Sequence, residues 1–347
     1  MAIPYASKTP YPLNLNKNAK TKTRLMLHRK KVAFSVALIL LVAAPAALKA
    51  QTDEDAIMMD KKNLCIGGTY MHGSWDHYWE GTFKRNNQNL GTVSTSSVML
   101  MGTYGITRKL NVVVGAPYVW THATRGTLHG QHGVQDLSAW LKWEALDLNV
   151  GKGVLSVYAL GGGSIPLTNY IADFLPLSIG LHSKTLSGRL LIDFQLGNFF
   201  ATASGTYTGR HDITIDRDAY YTTSLHLTNK VDMPDMASYN VRTGYRSDWL
   251  IAEAVFTQMF TLGGYDIRKN DMPFPSNKMN SSMAGVDFKY TLPKKWNALS
   301  IVGGGMYTVA GRNVGQSTSW DLGVFYVLDF SHKRSKTHNS AAEPTKK

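Results

Sequence analysis

The segment Ser317 to Phe330, STSWDLGVFYVLDF, presents two unlike faces in strict alternation. Trp320, Leu322, Val324, Tyr326, Leu328 and Phe330 fall on one face; Ser319, Asp321, Gly323, Phe325, Val327 and Asp329 fall on the other. A repeat of two residues is the pattern of a strand whose faces meet different surroundings. The same pattern recurs along the chain. In GVQDLSAWLKWEAL, Leu137, Ala139, Leu141, Trp143 and Ala145 alternate with Asp136, Ser138, Lys142 and Glu144. In KTLSGRLLIDFQ, Leu186, Leu190, Ile192 and Phe194 oppose Ser187, Arg189, Asp193 and Gln195. With the less regular runs included, the spacing predicts twelve strands at about 66–79, 92–105, 109–123, 133–147, 153–166, 183–195, 197–211, 235–247, 249–263, 279–292, 297–311 and 316–330. These are long for a soluble sandwich and sufficient to cross a bilayer, for which a tilted strand needs roughly 9–11 residues.

The connections alternate as well. ITRK, DLNVGKG, LGN, RSDW and LPKKWN are short, whereas GTFKRNNQNLG, ATRGTLHGQH, LTNYIADFLPLSIGLHS and the segments before residues 235 and 279 are mostly longer. An even strand count, with tight turns at one end and long loops at the other, is the layout of an outer-membrane barrel. The apolar face decides between this and a soluble barrel, because in lipid it points outward and the interior takes the charges. Aromatic residues gather at strand ends on the apolar face, among them Tyr104, Tyr118, Trp120, Trp143, Tyr245, Tyr290, Trp320 and Phe330. Interfacial girdles require that placement. The expected fold is therefore all-β, a membrane-spanning, antiparallel up-and-down barrel of about twelve strands. Such a barrel must pair its last strand with its first, since an open edge in lipid leaves backbone groups without partners. Trp320, Tyr326, Leu328 and Phe330 also give the last strand the form of an assembly signal for the barrel insertion machinery.

The front of the chain carries a basic cluster (Arg29, Lys30, Lys31), an apolar run from Val32 to Ala47, and a small residue at Ala50 before QTDEDA. This is the order of a secretory signal peptide, read here as residues 1–50 with Met26 as an alternative translation start. Residues 51–65 form a short periplasmic segment, at most a short inward peg, followed by the barrel at 66–330 and a basic tail at 331–347. The export reading places the protein in the outer membrane of a Gram-negative bacterium.

Charge is distributed accordingly. The whole chain has 37 basic and 24 acidic residues, a net +13, but nine of the basic residues and none of the acidic ones precede Gln51. The tail SHKRSKTHNSAAEPTKK, with five basic residues and one Glu, accounts for the excess that remains, so the barrel segment is neutral. A high pI of this origin does not point to nucleic acid. The single cysteine, Cys65, can make no intrachain disulfide and lacks the context of a lipid-acceptor cysteine.

The stretch from Trp79 to Trp143 resembles a family of outer-membrane transport proteins associated with the meta pathway of phenol degradation. The matching features are LMGTYG, ITRKLNV, VVGAPYV, Gly133 with QDLSAWLKW, and GGGSIPL, spanning roughly residues 75–167. The resemblance implies a barrel passing small, often apolar or aromatic, molecules, and it implies no catalytic residues.

Residues expected to face the lumen, and so to line a pore, are Asp136, Lys142, Glu144, Arg189, Asp193, Arg210, Arg242, Arg246, Glu253, Asp287, Lys289 and Asp321. Opposed charges of this kind set selectivity in pores, or fill a narrow barrel with ion pairs. Twelve strands spaced about 4.8 Å and tilted about 40° close at a backbone radius of roughly 12 Å, which leaves a small channel or none. His122, His129 and His132 match no standard metal spacing. No nucleophile motif accompanies the histidines, and Gly151-Lys152-Gly153 lacks the remainder of a phosphate loop. The expected function is an outer-membrane channel or transporter for passive passage of small molecules, with outer-membrane lipid, the insertion machinery and the solute as partners and no cofactor. The alternatives are a closed barrel with ligand- or partner-binding outer loops and, behind it, a barrel hydrolase.

Overall fold

The computed structural model describes residues 52–268 and 271–331. The segment 1–50, read above as a signal peptide, and the tail from residue 332 onward lie outside these residues. Twelve strands make the barrel: β1 Asn63–Trp75, β2 Val93–Thr107, β3 Leu110–Ala123, β4 Asp136–Val150, β5 Gly153–Pro166, β6 Thr185–Leu196, β7 Phe199–Arg210, β8 Met236–Arg246, β9 Leu250–Thr261, β10 Asn280–Thr291, β11 Leu299–Arg312 and β12 Thr318–Asp329. Each pairs antiparallel with its sequence neighbours, and β1 pairs with β12 from Asn63↔Asp329 to Ser74↔Thr318, so the sheet closes without an edge.

The polarity is inverted. On β6, Leu186 is 74 % exposed on the outer face, while Asp193 and Ser187 are buried on the inner one. On β4, Trp143 lies outside and Lys142 is fully buried inside. In water this exchange would strip a charge of solvent and leave apolar surface wet; in a bilayer the lipid solvates the apolar face. Tyr118, Trp120 and Trp320 gather on the outer face near the long-loop end, where Tyr70 contacts both tryptophan rings. At the turn end, Phe199 packs on Tyr245 and Trp249 on Tyr290. Two aromatic belts thus bound an apolar band.

Two strands, β1 and β4, differ from the sequence reading by three residues or more at both ends. Strand β1 begins at Asn63 and ends at Trp75, because His77–Glu80 leaves the wall to form its own hairpin with Phe83–Asn86. Strand β4 begins at Asp136, since Pro117 opposite has no N–H to donate. Gln135 bulges there, and its carbonyl accepts a bond from Leu167 N instead. The short piece His132–Val134 continues the pairing above the bulge.

The long loops fold over the barrel mouth. Leu177, fully buried, packs with Leu90 and Val93, and Thr121 Oγ1 donates to its carbonyl at 2.6 Å. Ile213, Ile215, Tyr220 and Val231 form a second cluster with Ala172 and Phe274, joining three loops. Arg312 at the end of β11 holds Asp266, in the same loop as Phe274, through two bonds of 2.7 and 2.5 Å, and Asn313 adds a third.

Candidate functional site

The segment before β1 enters the lumen. Lys62, at φ 65°, turns the chain inward; its N–H donates to Gly105 O and its carbonyl accepts from Phe330 N. The carbonyl of Asp60 passes over Gly105 so closely that a Cβ there would collide with it. From this anchor at the turn end, residues Thr52–Met59 run up inside the barrel as a peg.

Three acidic residues in a row, Asp53, Glu54 and Asp55, meet three basic side chains from different strands. Lys142 Nζ on β4 donates to Asp55 Oδ1 (2.9 Å) and to the carbonyls of Thr52 (3.0 Å), Asp55 (2.7 Å) and Ile57 (2.9 Å). Arg189 on β6 donates to Asp53 O (2.7 Å) and Oδ2 (3.1 Å), while its guanidinium lies over the Trp140 ring. Arg242 on β8 reaches Glu54 (3.0 Å), Glu253 (2.6 Å) and Asp287 (3.4 Å). Behind the peg, Arg246 holds Asp193 through two nitrogens at 3.0 and 3.2 Å and stacks on Phe200. Charges are tolerated in such a site because each ion finds a partner and supplementary hydrogen bonds.

Apolar inward residues complete the seat. Ala56 rests on Tyr158, Leu160 and Leu191; Ile57 on Phe200 and Ile251; Met59 on Cys65, Phe325 and Val327. These side chains interrupt the polar lumen face where the peg needs apolar contact.

The peg divides the remaining lumen. On one side a cavity of about 570 Å³ spans from the loop roof, at Gln135 and Ile179, to Val302 and Phe325 near the turn end. On the other a cavity of about 400 Å³ lies between the peg and Glu144, Lys152, Ser156 and Asp193.

Of the residues singled out in the sequence, Lys142, Arg189, Asp193, Arg242, Arg246, Glu253 and Asp287 are drawn into the ion-pair system around the peg. Lys289 and Asp321 line the larger cavity, and Glu144 lines the smaller. Asp136 and Arg210 stand apart at the long-loop rim. Asp136 accepts from Tyr170 Oη at 2.6 Å, and Arg210 reaches Pro234 O at the foot of the longest loop. Among the described residues no group of His, Cys, Asp and Glu is placed to hold a metal ion. Sequence reasoning missed Asp53, Glu54 and Asp55 as site residues. The signal was present in QTDEDA, three carboxylates directly before a barrel whose inner face carries basic residues in mid-strand.

A closed antiparallel sheet with an apolar exterior, two aromatic belts and a charged interior defines a transmembrane β-barrel. The comparisons with known proteins agree. The crystal structure of an outer-membrane channel from Pseudomonas putida F1 superposes with a TM-score of 0.62 at 15 % identity, covering 81 % of this chain and 100 % of that one. The chain therefore has the fold of an outer-membrane barrel. The translocator domain of the autotransporter NalP from Neisseria meningitidis (TM-score 0.39, 11 % identity, 89 % and 97 % covered) and OccK8 of Pseudomonas aeruginosa (0.32, 10 %, 75 % and 77 %) are more distant. No protein-family model matches the sequence, and no curated protein does.

Proposed function

We propose that the protein is an outer-membrane channel for passive passage of small molecules, closed in this structure by its own peg. The observation that carries the reading is the lumen itself. A barrel serving only as a scaffold has no need of a 570 Å³ internal cavity beside a segment held mainly by polar contacts. Met71, Met99, Met101, Val119 and Ile179 give that cavity an apolar wall, which supports passage of solutes with apolar or aromatic bodies. The fold shared with the Pseudomonas putida channel supports the same class of function.

Delivery follows from the same reading. Residues 1–50 direct export and are removed. Trp320, Tyr326, Leu328 and Phe330 present the last strand to the insertion machinery, and the long loops then face the cell exterior. The roof of loops and the interior peg give no support to a catalytic role.

Single-channel conductance of the segment Gln51 to Lys347 in a planar bilayer tests the function. Stepwise openings whose ion selectivity changes in Arg242→Ala or Asp287→Ala support a pore along this lumen. A folded, heat-modifiable barrel that stays silent even with its peg unseated overturns the channel reading in favour of loops that bind ligands or partners.

A further inference from the structure

The larger cavity has two unlike walls. One is apolar, built by Met99, Met101, Pro117 and Val119 from β2 and β3, with Ile179 descending from the loop roof. The other is a row of carboxylates set by strand register. Glu253 on β9 pairs with Asp287 on β10, Asp287 with Gly304 on β11, and Gly304 with Asp321 on β12. Residues in register across adjacent strands point to the same face, so all three carboxylates open into the lumen.

Gly304 leaves a slot in the middle of this row. Two interstrand spacings of about 4.8 Å separate Asp287 from Asp321, and no side chain stands between them. The Asp287 carboxylate occupies the place where a Cβ on Gly304 would sit, and so leans over the glycine toward Asp321. Asp321 has no basic side chain within ion-pair distance among the described residues.

The cations nearby each have partners, and one of them is shared with the row. Arg242 holds Glu54 and Glu253 as well as Asp287, Arg246 holds Asp193, and Lys289 is 8 % exposed and engaged. Six carboxylates and these three bases line the cavity. Including their bordering partners Lys142, Arg189 and Asp193, the balance is seven acids to five bases, an excess of negative charge inside low-dielectric walls.

We propose that this cavity binds an amphipathic organic cation, with its ammonium in the slot between Asp287 and Asp321 and its apolar body along the Met99 and Val119 wall. The volume, about 570 Å³, is in the range of small-molecule sites. This names the solute class for the proposed channel and rests on that reading for its physiological use, although binding itself does not require conduction.

The test is equilibrium binding to the full chain in zwitterionic nanodiscs, with empty discs subtracted, of three probes that share one body: 3-phenylpropylammonium, 3-phenylpropan-1-ol and 3-phenylpropanoate. The expected order is ammonium, then alcohol, then carboxylate, with at least tenfold between the first two. Asp321→Asn is expected to weaken the ammonium by about tenfold and leave the alcohol unchanged. Gly304→Ala, which keeps every charge and drives the Asp287 carboxylate off the glycine, is expected to do the same. Equal affinity of ammonium and alcohol, a preference for the carboxylate, or an unchanged ammonium affinity in folded Asp321→Asn overturns the proposal; where that variant fails to fold, the three probes on the unaltered chain decide. A barrel that binds the ammonium selectively and never conducts sinks the channel reading and keeps the site. One that conducts and binds all three probes equally does the reverse.

Discussion

Replacing Lys142 by Met tests whether the peg is a separable element. The ammonium is fully buried and its three N–H groups are shared among four oxygens, all of them on the peg. Met keeps most of the volume and none of the donors, leaving the Asp55 carboxylate and three carbonyls facing a dry wall. Removing one partner of a buried ion pair costs about 3–5 kcal/mol. The barrel ladders do not depend on Lys142 Nζ, so the cost falls on docking of the peg. At about 1.36 kcal/mol per decade, the docked population drops by roughly two to four orders of magnitude relative to the undocked one. Arg189, Arg242 and the apolar seat of Ala56 and Ile57 remain and set the docked population from which that drop is taken. The assay is maleimide labelling of Thr52→Cys in a Cys65→Ser background, from the turn-end side of reconstituted barrels, together with conductance. Lys142→Met is expected to label faster by at least tenfold and to open more often, while its heat-modifiable migration persists. Unchanged labelling would refute the reasoning, because it would mean that the other contacts hold the peg alone. Loss of the barrel itself would refute it too, by showing that peg and wall are one cooperative unit.

Further outcomes follow from the same contacts. Gly105→Ala puts a Cβ against Asp60 O and is expected to unseat the base of the peg at a cost of about 1–3 kcal/mol, read by the same labelling. Leu191→Ala removes a fully buried side chain beneath Ala56 and is expected to lower stability by about 2–5 kcal/mol in urea-dependent unfolding, whereas Leu186→Ala on the lipid face of the same strand leaves the peg in place. At the long-loop end, hydrogen bonds from Arg312 hold the Asp266 carboxyl down to about 2. A depressed acid contributes stability that is present above its unfolded value near 4 and lost as pH falls through the folded one. The protection factors of amides around Asp266, with intrinsic exchange divided out, are therefore expected to hold from pH 5 to about pH 4 and to fall between about pH 4 and pH 2. The effect is below about 1 kcal/mol because the pair is partly exposed. Asp266→Asn is expected to abolish that pH dependence.

The barrel was legible because its rule is local. Alternation reports the environment of each residue, and Leu186, Leu190 and Ile192 read as outward without knowledge of any partner strand. The ends of strands were less legible where the rule depends on a partner. Nothing in the sequence of β4 marks its start at Asp136; the cause is Pro117, nineteen residues upstream on the opposing strand, which cannot donate to Gln135. The pairing of particular charges was illegible for the same reason. Arg189 and Lys142 read as lumen residues, but the sequence does not say that both turn to one short segment.

That segment explains the faults in the alternation. Leu191 stands between Arg189 and Asp193 on the inner face of β6, and Tyr158 and Leu160 interrupt the inner face of β5. In a water-filled lumen three large buried side chains would have no physical reason to replace polar ones. Each of them packs around Ala56, and the neighbouring charges close over the acids on either side. An apolar residue on the polar face of a barrel strand is therefore informative: it marks where something other than water fills the interior. The complementary sign lies in the peg, where the acids Asp53, Glu54 and Asp55 precede the apolar residues Ala56, Ile57, Met58 and Met59. Acids beside the basic residues of the middle strands and apolar residues toward the turn end are the order required of a segment that enters from that end and stops partway. The two patterns match only when the segment lies inside the wall, so the place of the peg is written in both.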